Sequence, residues 1–239
     1  MAGGDSARRD AAITMETATT PPTCAAVIVA SGGSRRMGFD KLAAPLAGRA
    51  VLARTLDALA CCDAIGEVVL VCPEDRWEAI GAPRPDGVRF HRVDGGAERQ
   101  DSVEAGLAVV TMDFACIHDG ARPLVAADDI QRCIETAVAD GAAALARRVA
   151  DTIRRGDAGG FAAEVIERDN LWAVETPQCA RTHELRAALA DARTHGCNVT
   201  DETTALARIG IHVRLVESRF PNPKITTPAD LALAEALVS

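Results

Sequence analysis

Short apolar runs alternate with segments of helical spacing along nearly the whole chain. The runs are residues 25–30 (AAVIVA), 67–72 (EVVLVC), 115–118 (ACIH), 142–146 (AAALA) and 211–216 (IHVRLV). Residues 51–60, 102–110, 130–139, 184–192 and 229–238 carry apolar side chains at helical intervals instead. A strand that is apolar at every position needs cover on both faces, and a parallel sheet flanked by helices supplies it. The alternation therefore predicts an α/β fold, Rossmann-like, with a mostly parallel central sheet and helices on both faces.

Two stretches break the rhythm. Residues 1–23 are small and polar, end in Thr20-Pro21-Pro22 and read as a disordered tail, leaving one domain over 24–239. Residues 151–170 hold Arg154-Arg155-Gly156-Asp157-Ala158-Gly159-Gly160, a turn between two short extended pieces that reads as a hairpin leaving the sheet. Two helix starts are explicit. Thr227-Pro228-Ala229-Asp230 puts a capping Thr before a Pro at the first helical position, and Thr200-Asp201-Glu202 is similar.

Composition removes several classes of function. The formal charge of -8, from 34 acidic against 26 basic residues, disfavours a surface for nucleic acid or for an anionic membrane. Five Phe, two Trp and no Tyr leave little for base stacking. No apolar run approaches the roughly 20 residues that span a bilayer, and the N-terminal residues lack the apolar core of a signal peptide. The eight cysteines include no C-x-x-C pair, and several stand inside apolar runs, so buried free thiols in a reducing cytoplasm are expected.

In an open parallel sheet, ligands bind at the carboxyl ends of strands, so the loops after the runs carry the chemistry. The first run leads into Ser31-Gly32-Gly33-Ser34-Arg35-Arg36-Met37-Gly38, then Asp40-Lys41. Glycines after a strand let backbone N–H groups approach an anion, and Arg35, Arg36 and Lys41 add fixed positive charge. Neither G-x-x-x-x-G-K-[ST] nor G-x-G-x-x-G is present, so this is a phosphate loop of another spelling.

That stretch, from Val27 to Gly38 with Lys41, resembles the nucleotide-binding signature of sugar-nucleotidyltransferase-like enzymes. Later motifs narrow the resemblance to the 2-C-methyl-D-erythritol 4-phosphate cytidylyltransferases. They are Asp94-Gly95-Gly96-Ala97-Glu98-Arg99-Gln100-Asp101-Ser102-Val103, His118-Asp119-Gly120-Ala121-Arg122-Pro123, Asp151-Thr152, Leu171-Trp172 with Glu175-Thr176-Pro177-Gln178, Thr200-Asp201-Glu202, and Lys224 ahead of Thr226-Thr227-Pro228-Ala229-Asp230-Leu231. They stand in the family's order.

The resemblance implies attack by the phosphate of methylerythritol phosphate on the α-phosphorus of CTP, with release of pyrophosphate. It implies Arg36 and Lys41 as stabilisers of the transition state, and Arg168 and Lys224 as the cations that set the acceptor phosphate. Ser31, Gly32 and Gly33 line the nucleotide, Gly95, Gly96 and Ser102 surround the cytosine, and Thr152 and Thr176 support the acceptor. Ser102 is equally suited to the first turn of a helix. Asp119 suits substrate hydroxyls or a share in a divalent cation, and Arg122 suits either a phosphate or an ion pair with Asp119. Mg²⁺ is the expected cofactor, carried on the CTP phosphates. No general base is needed for an ionised phosphate, so His118 is expected to be structural. The hairpin, with its flanks about 147–172, is expected to reach a second subunit, giving a homodimer with shared active sites.

Two departures from the family pattern stand out. Asp40 replaces the usual Pro or Asn and puts a negative charge beside Lys41. Arg147-Arg148-Val149-Ala150 replaces a more apolar stretch before Thr152. Three rival readings are weaker. A cytidylyltransferase for another polyol phosphate, such as ribitol 5-phosphate, shares the scaffold. A hydrolase built on Ser31 lacks the G-x-S-x-G elbow. A binding module would not need cations for both reacting phosphates.

Overall fold

The computed structural model describes residues 24–33 and 37–238. The segment 1–23, read above as a tail, and Arg36 lie outside them. The chain runs through β1 (Cys24–Val29), a small ribbon of β2 (Pro45–Leu46) and β3 (Arg49–Ala50), α1 (Val51–Ala60), β4 (Ile65–Val71), α2 (Glu74–Ile80), β5 (Arg89–Val93) and α3 (Arg99–Val109). It continues through β6 (Phe114–Asp119), α4 (Ala127–Asp140), β7 (Ala142–Arg148), β8 (Ile153–Gly156), β9 (Ala162–Ile166) and β10 (Trp172–Arg181). The last elements are α5 (Thr182–Thr194), α6 (Glu202–Arg208), β11 (Arg214–Glu217) and α7 (Pro228–Val238).

Seven strands form one sheet in the order β11-β7-β10-β6-β1-β4-β5. The pairs β1–β4, β1–β6, β4–β5 and β7–β11 are parallel, and β10 alone runs antiparallel to its neighbours β6 and β7. Strand β1 is central, and its alternate side chains enter two apolar layers. Ile28 packs in one with Leu52, Leu56 and Leu59 of α1 and Ile130 and Ile134 of α4. Val27 packs in the other with Val103 and Leu107 of α3 and Leu185 and Leu189 of α5. This two-sided burial is why the run is apolar at every position. Each such side chain contributes roughly 1.5–3 kcal/mol by leaving water.

Helix α3 lies unusually close to the sheet. A Cβ placed on Gly106 would fall 2.5 Å from Val27 Cγ1 and 2.8 Å from Val71 Cγ2. Only glycine permits that approach, and it brings the N-terminus of α3 to the end of β1.

From β1 the chain winds outward through β4 to β5, then returns to place β6 on the other side of β1. Such a reversal opens a crevice beyond the carboxyl ends of the strands. The hairpin expected within 151–170 is present as β8 and β9, which form a separate two-stranded sheet. Its Phe161 and Val165 are 75% and 55% exposed.

Some boundaries differ from the sequence expectation. Helices α3, α4 and α5 each start two or three residues earlier, because their first turns are polar and invisible to apolar spacing. Pairing of the last strand with β7 begins only at Arg214, although Ile211 and Val213 pack against the apolar layer. Strands β5 and β10 and helix α2 have no counterpart among the expected elements. All eight cysteines are unpaired; six are buried, Cys197 is half-buried and Cys61 is exposed. Burial pushes the Cys62 and Cys72 thiols up to about 11, so both stay protonated.

Candidate active site

Four loops converge on the crevice: the one after β1, the one before α3, the one after β6 and the one before α7. Between them lies a cleft of about 330 Å³ whose lining includes Ser31, Gly32, Gly33, Lys41, Gly96, Ser102, Asp119 and Lys224. Ser31 Oγ donates to Val71 O at 3.1 Å, which ties the glycine loop to the end of β4. Lys41 Nζ donates to Ile225 O at 2.8 Å, so the lysine reaches across to the loop before α7.

The floor near α3 is tightly packed. Gly96 N–H donates to Ser102 Oγ at 3.2 Å, and that hydroxyl donates to Glu98 O at 3.3 Å. Ser102 therefore belongs to the first turn of α3 and to the cleft wall together. A Cβ on Gly95 would fall 2.0 Å from Ser31 Oγ and 2.6 Å from Ser102 Oγ, so the chain has no room for a side chain there.

Asp119, at the end of β6, is the electrostatic hub. Its Oδ2 lies 2.8 Å from Lys224 Nζ and 3.7 Å from Arg122 Nε, and its Oδ1 lies 3.4 Å from Arg99 Nε. Burial alone would raise its pKa, but these three cations, Lys224 above all, outweigh burial and hold the carboxyl well below the usual range. Arg99 in turn grips Glu202 with both Nη atoms, at 2.7 and 3.0 Å. Burial would lower the pKa of this arginine, and the carboxylates of Glu202 and Asp119 raise it instead. Four cations, Lys41, Arg99, Arg122 and Lys224, thus gather here, interleaved with the carboxylates of Glu98, Asp119, Glu175, Asp201 and Glu202.

A second, smaller cavity of about 220 Å³ adjoins the first and shares Arg99, Asp119 and Lys224 with it. Arg122, Glu175, Thr176 and Gln178 complete much of its wall. Two adjoining pockets with shared cations suit two anionic reactants meeting at one line of side chains. Thr176 Oγ1 accepts from Asp119 N–H at 3.1 Å and shares a hydrogen bond with His118 Nδ1 at 3.1 Å. The other ring nitrogen of His118 lies 3.1 Å from Arg122 O. Burial pushes His118 down to about 4, so the ring is neutral at physiological pH with both nitrogens engaged.

Lys224 stands on a shaped loop. Asn222 donates to Thr176 O at 2.8 Å and to Glu175 Oε2 at 3.2 Å, while Arg122 Nη1 donates to Asn222 O at 2.6 Å. Arg122 thus pairs with Asp119 and anchors this loop. Lys41, Lys224, Ser31, Gly32, Gly33, Gly96, Ser102, Asp119, Arg122 and Thr176 all line one cavity or the other, with Gly95 packed behind. Thr152 and Arg168 do not join them. Both are exposed at the base of the hairpin, where Arg168 Nη1 bonds Ala150 O.

The two departures are accommodated. Asp40 pairs with Arg76 Nε at 2.7 Å. Strand β7 continues through Arg147 and Arg148, with Arg147 3.6 Å from Glu175 and Arg148 stacked 4.3 Å from the Trp172 ring centroid. Sequence reasoning singles out neither Arg99 nor Glu202, which are 103 positions apart, nor Gln178, whose Oε1 accepts from Glu202 N–H at 2.9 Å. All three stand in the quoted motifs, and a carboxylate or arginine inside such a motif is the available signal.

The chain is similar to known proteins over most of its length. Residues 24–239 match the family model of 2-C-methyl-D-erythritol 4-phosphate cytidylyltransferase. The chain is 40% identical to the enzyme of that name from Aeromonas hydrophila, over 89% of this chain and 88% of that one. It is also 40% identical to the one from Deinococcus radiodurans, over 92% and 91%. The crystal structure of the Thermus thermophilus enzyme of that name superposes with a TM-score of 0.75 at 33% identity, covering 90% of this chain and 98% of that one. Fold, ordered motifs and overall likeness converge, and the chain belongs to the 2-C-methyl-D-erythritol 4-phosphate cytidylyltransferase family.

Proposed function

We infer that this protein transfers the cytidylyl group of CTP to 2-C-methyl-D-erythritol 4-phosphate, giving 4-diphosphocytidyl-2-C-methyl-D-erythritol and pyrophosphate in non-mevalonate isoprenoid synthesis. The end-to-end family match over residues 24–239 carries the inference. The paired cavities sharing Asp119 and Lys224 supply its physical basis.

In the proposed reaction an acceptor phosphate oxygen attacks the α-phosphorus, the bond to the bridging oxygen breaks, and pyrophosphate leaves. Positioning and charge stabilisation do most of the work in such a transfer. Lys41 meets the triphosphate from the nucleotide cavity, together with the backbone N–H groups of Ser31, Gly32 and Gly33; the family resemblance assigns Arg36, outside the described residues, to the same task. Gly95, Gly96 and Ser102 close around the cytosine. On the acceptor side Lys224 takes the phosphate, with Thr176 beside it. Asp119 and Arg122 hold Lys224 and its loop in register. The attacking phosphate is already ionised, and neutral His118 has its N–H committed to Arg122 O and its other nitrogen to Thr176 Oγ1, so neither serves the reaction.

Among the described residues no three His, Cys, Asp or Glu side chains converge as metal ligands. A divalent cation, Mg²⁺ in our reading, fits if it is held mainly by phosphate oxygens, with ionised Asp119 as the carboxylate at hand. Such an ion neutralises triphosphate charge and stabilises the leaving pyrophosphate. Thr152 and Arg168, outside both cavities, together with the exposed Phe161 and Val165, suit a homodimer in which the hairpin of one subunit completes the site of the other. Among the described residues no helix is long and apolar enough to cross a membrane. The free thiols suit a cytoplasmic setting.

Pyrophosphate release with CTP tests the function over a panel of phosphorylated polyols. Turnover is expected with 2-C-methyl-D-erythritol 4-phosphate, and preference for ribitol 5-phosphate would overturn the choice of acceptor.

A further inference from the structure

Strand β10 breaks its ladder with β7 beside the smaller cavity. Val174 stands opposite Ala146 and Gln178 opposite Ala144, so the register shifts between them. Such an irregularity re-aims side chains. Thr176 meets Asp119 there, while the Glu175 carboxylate turns to other segments: its Oε2 accepts from Ser218 Oγ at 2.9 Å and from Asn222 Nδ2 at 3.2 Å. Ser218 follows β11, and Asn222 stands two residues before Lys224. One buried carboxylate therefore ties the end of β11 to the loop that carries the acceptor-side lysine.

The second oxygen of that carboxylate faces Arg147. Oε1 lies 3.6 Å from Arg147 Nε, at the outer end of β7, where the arginine side chain is 63% exposed and the glutamate side chain 7%. Arg147 belongs to the stretch in which this chain departs from the family pattern, and an apolar residue there could not form the pair.

Charge gives the pair its consequence. The lining of the smaller cavity holds three carboxylates, Asp119, Glu175 and Asp201, against three cations, Arg99, Arg122 and Lys224. Glu202, bonded to Arg99, adds a further negative charge. A phosphate monoester brings a charge of about -1.5 to -2 at neutral pH. Such a wall needs a cation beyond its own lining, and Arg147 supplies one to Glu175 from outside. We propose that Arg147 is a positioning residue for the acceptor: it offsets the charge of Glu175 and, through Glu175 and Asn222, holds the Lys224 loop where a phosphate can be gripped. The proposal rests on the cytidylyltransferase reading given above.

The test is steady-state kinetics on the full chain with CTP and 2-C-methyl-D-erythritol 4-phosphate, for wild type, Arg147→Lys, Arg147→Met and Arg147→Glu, with thermal melting and light scattering in parallel. Arg147→Met is expected to raise KM for the acceptor about three- to fivefold, the scale of a partly exposed ion pair. Arg147→Lys keeps the charge and stays within about twofold of wild type, whereas Arg147→Glu sets a second carboxylate against Glu175 and raises KM further. KM for CTP stays level across the series, because Arg147 does not line the nucleotide cavity. Melting temperature and oligomeric state of the Met and Lys variants match wild type, since the arginine is largely exposed. An arginine that acts by shape would rank Met with Lys, and one that merely supports the fold would move both substrates and the melting temperature together. Either pattern, a flat acceptor KM, or a changed oligomeric state would overturn the proposal. A wild-type protein inactive with this pair of substrates would instead refute the functional reading, so the two failures are distinct.

Discussion

Replacing Gly95 by Ala tests whether the nucleotide cavity is built by close approach. The new methyl would stand 2.0 Å from Ser31 Oγ, 2.6 Å from Ser31 Cβ and 2.6 Å from Ser102 Oγ, each shorter than non-bonded atoms tolerate. Ser31 can yield only by leaving Val71 O, at a net cost of about 1 kcal/mol for the lost hydrogen bond. The remaining contacts require backbone movement, and overpacking of this kind costs about 1–3 kcal/mol. Together they come to about 2–4 kcal/mol, which corresponds to a fall in Tm of roughly 5–10 °C for a domain of this size. Because Ser31 and Ser102 both line the cleft, KM for CTP should rise as Tm falls. Ser31→Gly in the same chain removes two of the three clashes and should recover part of both losses. Differential scanning calorimetry and CTP kinetics read these out. A Gly95→Ala protein that melts and binds CTP like wild type would refute the steric reasoning.

Other consequences are equally concrete. Lys41→Ala should lower kcat by about 10²–10³, the range for loss of one charge-stabilising group, with a much smaller change in CTP affinity measured by calorimetric titration; equal losses would favour a simple binder. His118 has a folded pKa of about 4, below its unfolded value near 6.5, so the unfolded chain binds more protons between them. Its stabilising contribution, up to about 3 kcal/mol, is therefore complete above pH 6.5 and is lost as the pH falls toward 4. Urea unfolding across that window should be flatter for His118→Asn than for wild type. If the hairpin serves the partner's site, Lys41→Ala and Arg168→Ala chains, each inactive alone, should regain about a quarter of wild-type activity when refolded together, since half the dimers are mixed and half their sites intact. No recovery, or a fully active monomer by light scattering, would remove the shared site.

The relation between sequence and structure is clearest in the strands that apolar patterning misses. Strand β1 is plain because every residue is apolar, and α1 is plain because its buried residues Leu52, Leu56 and Leu59 keep helical spacing. Strand β10 is hidden because Glu175, Thr176 and Gln178 are polar yet buried. Their partners come from distant segments: Glu175 accepts from Ser218 Oγ and Asn222 Nδ2, and Gln178 accepts from the first N–H groups of α6. Local pattern cannot show that a polar side chain will be satisfied in this way. Edge strand β5 (RFHRV) is hidden for the opposite reason, since its charged residues reach solvent and blur the apolar signal.

The site divides along the same line. Glycines and cations of the nucleotide loop are legible because their chemistry sits in one contiguous stretch. The Arg99–Glu202 and Arg76–Asp40 pairs are not, because each depends on a helix meeting another segment in space. The excess acid of the chain carries no hint of an anion site either. Only the fold brings Lys41, Lys224, Arg99 and Arg122 to one crevice, where they stand among carboxylates.

The most direct test of the central claim follows the fate of the phosphorus atoms. Purified protein, Mg²⁺, 2-C-methyl-D-erythritol 4-phosphate and CTP labelled at the α-phosphorus should give label in a cytidine diphosphate ester of the acceptor, with unlabelled pyrophosphate released in equal amount. Label found in free CMP, or a product formed only with another acceptor, would contradict the account.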